Sequence, residues 1–89
     1  MTAKKEAMYK ATVNVTLKKS VLDPQGKTVL HALDSLGFKE AKDVRVGKFF
    51  EVLVDARDQG AAEKRLKEMC EKLFINPVIE DYTFHLAQA

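Results

Sequence analysis

Residues 9 to 18, YKATVNVTLK, alternate without a break. Tyr9, Ala11, Val13, Val15 and Leu17 fall on one side, and Lys10, Thr12, Asn14, Thr16 and Lys18 on the other. A period of two, rich in β-branched residues, specifies a strand with one face in a core and one in water. Such a strand needs neighbours to pair with and a layer to cover its apolar side. A chain of 89 residues has room for one modest core, so the remaining segments must supply both.

Asp23-Pro24 is helix-start punctuation: a capping carboxylate, then proline where its missing N–H costs nothing. Val29, Leu30, Leu33 and Leu36 mark one helical face, with Ala32 alongside. Gly37 suits the left-handed C-cap and Phe38 folds back on the last turn, so a helix is predicted over 24–36. Residues 43–55, DVRVGKFFEVLVD, are extended, with Val44, Val46, Phe50, Val52 and Val54 on one face broken only by Lys48. They form either one long bent strand or a hairpin. Gly47-Lys48 fits a type II′ turn, which favours the hairpin. Asp58 caps a second helix with Ala62, Leu66, Met69 and Leu73 at spacings of 4, 3 and 4, ended by Asn76-Pro77. Residues 78–86 make a last strand with Val78, Tyr82, Phe84 and Leu86 on one side.

The order is β-α-β-β-α-β, or β-α-β-α-β if the hairpin is a single strand. It predicts a ferredoxin-like α+β sandwich with two helices on one face of an antiparallel sheet. On the outer sheet face Phe49, Leu53 and Ile79 stand out as apolar residues. Clustered on adjacent strands they would form a patch that a homodimer covers by packing sheets or edges together.

Hydrophobic residues make up 46% and charged residues 31%, as in ordinary soluble domains. The net charge is +2, and Lys4 and Lys5 are offset only by Glu6. The folded part is then nearly neutral, which gives no reason to expect nucleic acid or an anionic membrane as partner. No apolar run reaches the length of a membrane span, and MTAKKEA lacks the apolar stretch of a signal peptide. Residues 1–7 are expected to be a disordered lead-in, and 8–89 a single domain. The lone cysteine, Cys70, permits no intramolecular disulfide, which fits a reducing, cytoplasmic setting.

Gly26-Lys27-Thr28 matches the closing letters of a phosphate-binding P-loop, but Val21 stands where the first glycine is needed and Pro24 removes a cradling N–H. Cys70 lies mid-helix beside the apolar stripe, the setting of a structural thiol rather than a nucleophile. His31 and His85 are not spaced as metal ligands. Glu80 and Asp81 are adjacent on a strand and point to opposite faces, so they make no carboxylate pair. Tyr82 belongs to the aromatic core. RVGKFFEVLV resembles the aromatic strand of RNA-binding sheets. The first strand offers only Thr12, Asn14 and Thr16 beside Phe49, so there is no stacking platform. No activated nucleophile, acid–base pair or metal site assembles, which points to an interaction or ligand-binding module.

Four blocks in order carry a family resemblance: KATVNVTLK, then VLDPQGKTVLHALDSLGF, VRVGKFFEV and NPVIEDYTF. Over residues 8–86 the chain resembles the PurS family, the small subunits of phosphoribosylformylglycinamidine (FGAM) synthase. The resemblance implies a dimeric, non-catalytic adaptor in an ATP- and glutamine-dependent complex of purine biosynthesis. It implies a glutaminase subunit that releases ammonia and a large synthetase subunit that uses ATP and Mg, with no cofactor bound by the chain itself. Candidate subunit-interface residues are the Asp23, Gln25 and Gly26 turn and the stretch with Arg45, Lys48 and Phe49, together with Leu53. LDPQGKTVLHALDSLG is also similar to the first loop and helix of ACT-type domains, which would make the chain an amino-acid sensor. A free-standing enzyme is the remaining alternative, with no residues to run it.

Overall fold

The computed structural model describes residues 7–89. Strand β1 spans Ala7–Leu17, helix α1 Pro24–Ser35, strand β2 Gly47–Ala56, helix α2 Gln59–Met69 and strand β3 Glu80–Gln88. The sheet is antiparallel with β1 central, in the order β2-β1-β3. The α+β class with an antiparallel sheet is as expected, in the five-element form β-α-β-α-β. The expected lead-in lies outside the described residues, except for Ala7, which opens β1.

The alternation in β1 sets the register. Val13 faces Phe50 on one side and Phe84 on the other, and Ala11 faces Val52 and Leu86. Ala11, Val13 and Val15 are fully buried or nearly so, and Asn14 and Thr16 are exposed on the other face. Leu66 closes the core from α2, and Cys70 and Ile75 from the segment after it. Full burial of each Val or Leu side chain here is worth roughly 1.5–3 kcal/mol.

Three expectations change. First, residues 43–55 contain no hairpin. The only positive φ among the described residues is that of Gly37, at 98°, so Gly47 does not make a type II′ turn. Gly47 instead opens β2 opposite Thr16, where a Cβ would lie 2.2 Å from the Val15 carbonyl oxygen. Second, α2 runs into a π-helical turn, Cys70–Phe74, closed by Ile75 N–H donating to Cys70 O at 3.0 Å. The wider turn moves the inward series to Ala62, Leu66, Cys70 and Phe74. Phe74 stacks on Phe50 at 4.4 Å, while Leu73, expected in the core, is 79% exposed. Third, the last strand begins at Glu80 rather than 78, because Asn76 to Ile79 form a turn in which Glu80 N–H donates to Asn76 O at 2.8 Å. Val78 is consequently exposed, whereas Tyr82, Phe84 and Leu86 face the core as expected.

The largest departure is in the layering. Helix α2 covers the apolar face of the sheet, but α1 forms no comparable layer against any strand or against α2. The chain measures 61 × 26 × 14 Å. Its radius of gyration is 17.6 Å, against about 12 Å for a compact domain of this length. With no hairpin to return the chain, residues 41–46 run out from β2 and carry α1 away from the sheet.

The π turn gives a test. Leu66→Ala lowers the unfolding free energy in chemical denaturation by about 2–5 kcal/mol, whereas Leu73→Ala stays within about 0.5 kcal/mol. Equal losses at both positions would contradict the placement of Leu73 in solvent.

Candidate functional site

The base of α1 is where the polar groups converge. Asp23 is 3% exposed and caps the helix: one carboxylate oxygen accepts from Gly26 N–H at 2.9 Å. The other accepts from Val46 N–H at 2.8 Å, across the gap to the chain returning from the helix. Gly26 lies against that returning chain, and a Cβ there would stand 2.1 Å from Val44 O. Arg45 answers in the opposite direction. Its Nη2 donates to Lys18 O at 2.8 Å and Val21 O at 3.1 Å, with Leu17 O at 3.4 Å. Lys18 joins the arrangement to β3, its backbone N–H donating to Ile79 O and its ammonium to Asp81, each at 2.8 Å.

Asp23 is held below the ordinary carboxylate value of 3.8, first by the Gly26 N–H and then by the Val46 N–H; burial opposes the shift and the Arg45 charge adds to it. A depressed pKa contributes stability that is complete above the unfolded value and is lost as pH falls through the folded one. The junction therefore weakens only in acid, below pH 3.8.

The far end of α1 is closed as the sequence indicates. Gly37 N–H donates to Asp34 O at 3.1 Å and Phe38 N–H to Leu33 O at 2.9 Å, a Schellman arrangement with Gly37 left-handed. Val29 on the helix and Leu36 and Phe38 just past its end are 42, 73 and 49% exposed. Pro24, Thr28, Val29 and Val46 line an apolar groove of about 450 Å³ between α1 and the returning chain.

The GKT letters carry no phosphate cradle. The Gly26 N–H is taken by the Asp23 carboxylate, which stands where an anion would have to sit, and the Thr28 hydroxyl donates to Pro24 O at 3.0 Å. Cys70 is fully buried, and burial, followed by the Glu71 charge, raises its thiol pKa, which keeps it protonated and poorly nucleophilic. His31 and His85 are exposed on separate elements. Among the described residues no group of three or more His, Cys, Asp and Glu side chains is placed to hold a metal. Among the described residues no helix is long and apolar enough to cross a membrane.

The seven candidate interface residues divide into two sets. Asp23 and Gly26 are buried and bonded to the junction, and Arg45 binds its own chain's carbonyls, so these three shape the surface. Gln25, Lys48, Phe49 and Leu53 are exposed. Lys48 reaches Phe74 O at 3.3 Å and Glu80 at 3.4 Å, which ties β2 to the π turn and to β3. Phe49 and Leu53, 58 and 66% exposed, lie on the outer face of the edge strand β2. Ile79 does not join them: it precedes β3, on the opposite edge of the sheet, with β1 between. The residues that sequence reasoning missed are the partners that make the junction, above all Val46, which read only as one more apolar strand position.

A small antiparallel α+β protein results, in which buried polar groups hold loops and the free features are apolar surfaces. The family model of PurS, phosphoribosylformylglycinamidine (FGAM) synthase, matches residues 10–88. The chain is 49% identical over 81 residues to phosphoribosylformylglycinamidine synthase subunit PurS of Bacillus subtilis, covering 91% of this chain and 95% of that one. A crystal structure of B. subtilis PurS superposes with a TM-score of 0.80 at 50% identity, covering 88% of this chain and 96% of that one. A chain in the structure of PurLQS from Thermotoga maritima gives a TM-score of 0.83 at 29% identity, covering 92% and 98%. The chain belongs to the PurS family of FGAM synthase subunits.

Asp23→Asn keeps an acceptor for Gly26 but sets an amide NH₂ against the Val46 N–H. Faster hydrogen exchange at the Val46 amide is expected, together with loss of the acid-labile component of thermal stability below pH 3.8. Unchanged Val46 protection would contradict the bond.

Proposed function

We propose that the chain is a non-catalytic adaptor in the cytoplasmic FGAM synthase complex of de novo purine biosynthesis. As a homodimer or higher oligomer it joins the glutaminase subunit to the large synthetase subunit and assists ammonia transfer. ATP and Mg are used by the synthetase, and this chain binds no cofactor. The observation that carries the reading is α1: a twelve-residue helix with an apolar face and no layer of its own chain against it. Helices of that length are marginal in isolation and draw their stability from packing. A partner surface, either a second copy or another subunit, meets that need. The relative of known structure in PurLQS, sharing this fold over nearly its whole length, supports it.

The physical reason for such a subunit lies in the chemistry of ammonia. In neutral water ammonia is mostly protonated and unable to attack a carbon centre. A closed route between the site that releases it and the site that consumes it avoids this loss, as closed active sites prevent side reactions. An adaptor contributes by holding the two partners in register. The exposed candidates Gln25, Lys48, Phe49 and Leu53 are the proposed subunit contacts. The amino-acid-sensor alternative loses its basis, since the family match runs through the very loop and helix that suggested it.

The complex reconstituted without this chain is expected to lose glutamine-dependent turnover while keeping turnover driven by added ammonia. Equal glutamine-dependent rates with and without the chain would overturn the proposal. In the complete complex Phe49→Ser with Leu53→Ser weakens association in sedimentation analysis and leaves the circular dichroism spectrum unchanged. Unaltered association would remove the outer face of β2 from the interface.

A further inference from the structure

Helix α1 packs as no layer on the sheet or on α2 and is carried by its two connecting segments, 18–23 and 36–46. Two free connections of that length would let a twelve-residue helix swing. Here they are cross-linked close to the body, and each supplies what the other lacks. The incoming segment gives the Asp23 carboxylate to the Val46 N–H of the outgoing one. The outgoing segment gives the Arg45 guanidinium to the Lys18 and Val21 carbonyls of the incoming one. Because Asp23 also caps the helix through Gly26, the same carboxylate grips α1 itself. Swinging α1 about either segment must break one of these bonds, and motion toward the returning chain is stopped where Gly26 meets Val44 O. Lys18 secures the base to β3 through Ile79 and Asp81.

We propose that this Asp23–Arg45 junction is a rigid elbow. It fixes the direction in which α1 leaves the sheet and the width of the apolar groove between Pro24, Val29 and Val46. Subunit assembly reads that direction as well as the apolar face. The elbow stands on the geometry alone; its role in assembly rests on the adaptor reading above. Asp23, Gly26 and Arg45 are on this account positioning residues, which act through α1 and do not touch the partner.

Spin labels at Ser35→Cys on α1 and Lys64→Cys on α2 read the angle directly. Labelled protein is diluted into unlabelled protein so that only distances within one protomer are seen, and buried Cys70 is left in place. A single narrow distance distribution is expected, unchanged by the control Lys42→Ala. Asp23→Asn is expected to broaden it at least twofold, and so is Arg45→Lys, which keeps the charge but loses the planar fork; Arg45→Lys serves alone if Asp23→Asn fails to fold. The same variants in the reconstituted complex lower glutamine-dependent turnover several-fold and leave ammonia-dependent turnover unchanged. A broad distribution in the unaltered protein, or a narrow one in both variants, overturns the elbow. Broadening with normal assembly and turnover overturns only its role in assembly. Glutamine-dependent turnover indifferent to the chain altogether overturns the adaptor reading instead.

Discussion

One carboxylate does three things in this fold. Asp23 ends the loop after the central strand, begins the first helix, and takes the backbone N–H of Val46 from the chain coming back. Without that last bond the helix would be tied to the sheet by its covalent connections and by Arg45 alone. Burial of an ion is unfavourable unless its oxygens are satisfied, and here the Gly26 and Val46 N–H groups satisfy them, with the nearby Arg45 charge favouring the ionised form. The site is therefore sensitive to small changes: replacing one oxygen, or adding one Cβ at Gly26, disturbs a contact that nothing else duplicates.

The consequence is a protein divided by function. The sheet and α2 form a conventional core, with β1 covered on both edges and on its apolar face. The α1 segment contributes little to that core and exposes the large apolar residues Val29, Leu36 and Phe38. Contiguous exposed apolar surface in a small soluble protein marks a contact site. The ionisable groups follow the same division. The surface carries ion pairs such as Lys10 with Glu51 and Arg65 with Glu68, contacts worth about 0–1 kcal/mol each. The buried thiol is held protonated.

Much of this was legible in the sequence, for local reasons. Strict alternation placed β1 and its inward face, and Asp23-Pro24 and Gly37-Phe38 bracketed α1 to within one residue. What failed depended on tertiary geometry. Gly47 carries the letters of a turn, but it serves as the one residue that fits against the Val15 carbonyl. Leu73 follows the α-helical repeat, and only the π turn, which lets Phe74 reach Phe50, removes it from the core. The apolar stripe of α1 was legible as a stripe, but periodicity does not say whose core it belongs to. For the candidate site, Asp23 and Arg45 were found as residues but assigned to the surface. Their partners are backbone groups twenty or more positions away, which no spacing rule reveals.

The central claim is that Asp23 and Arg45 operate as one unit across the base of α1. A double-mutant cycle by chemical denaturation, with Asp23→Asn, Arg45→Ala and the pair, measures this directly. The account predicts that the double variant loses clearly less stability than the sum of the two single losses, since either change alone already opens the junction. Losses that add would contradict it.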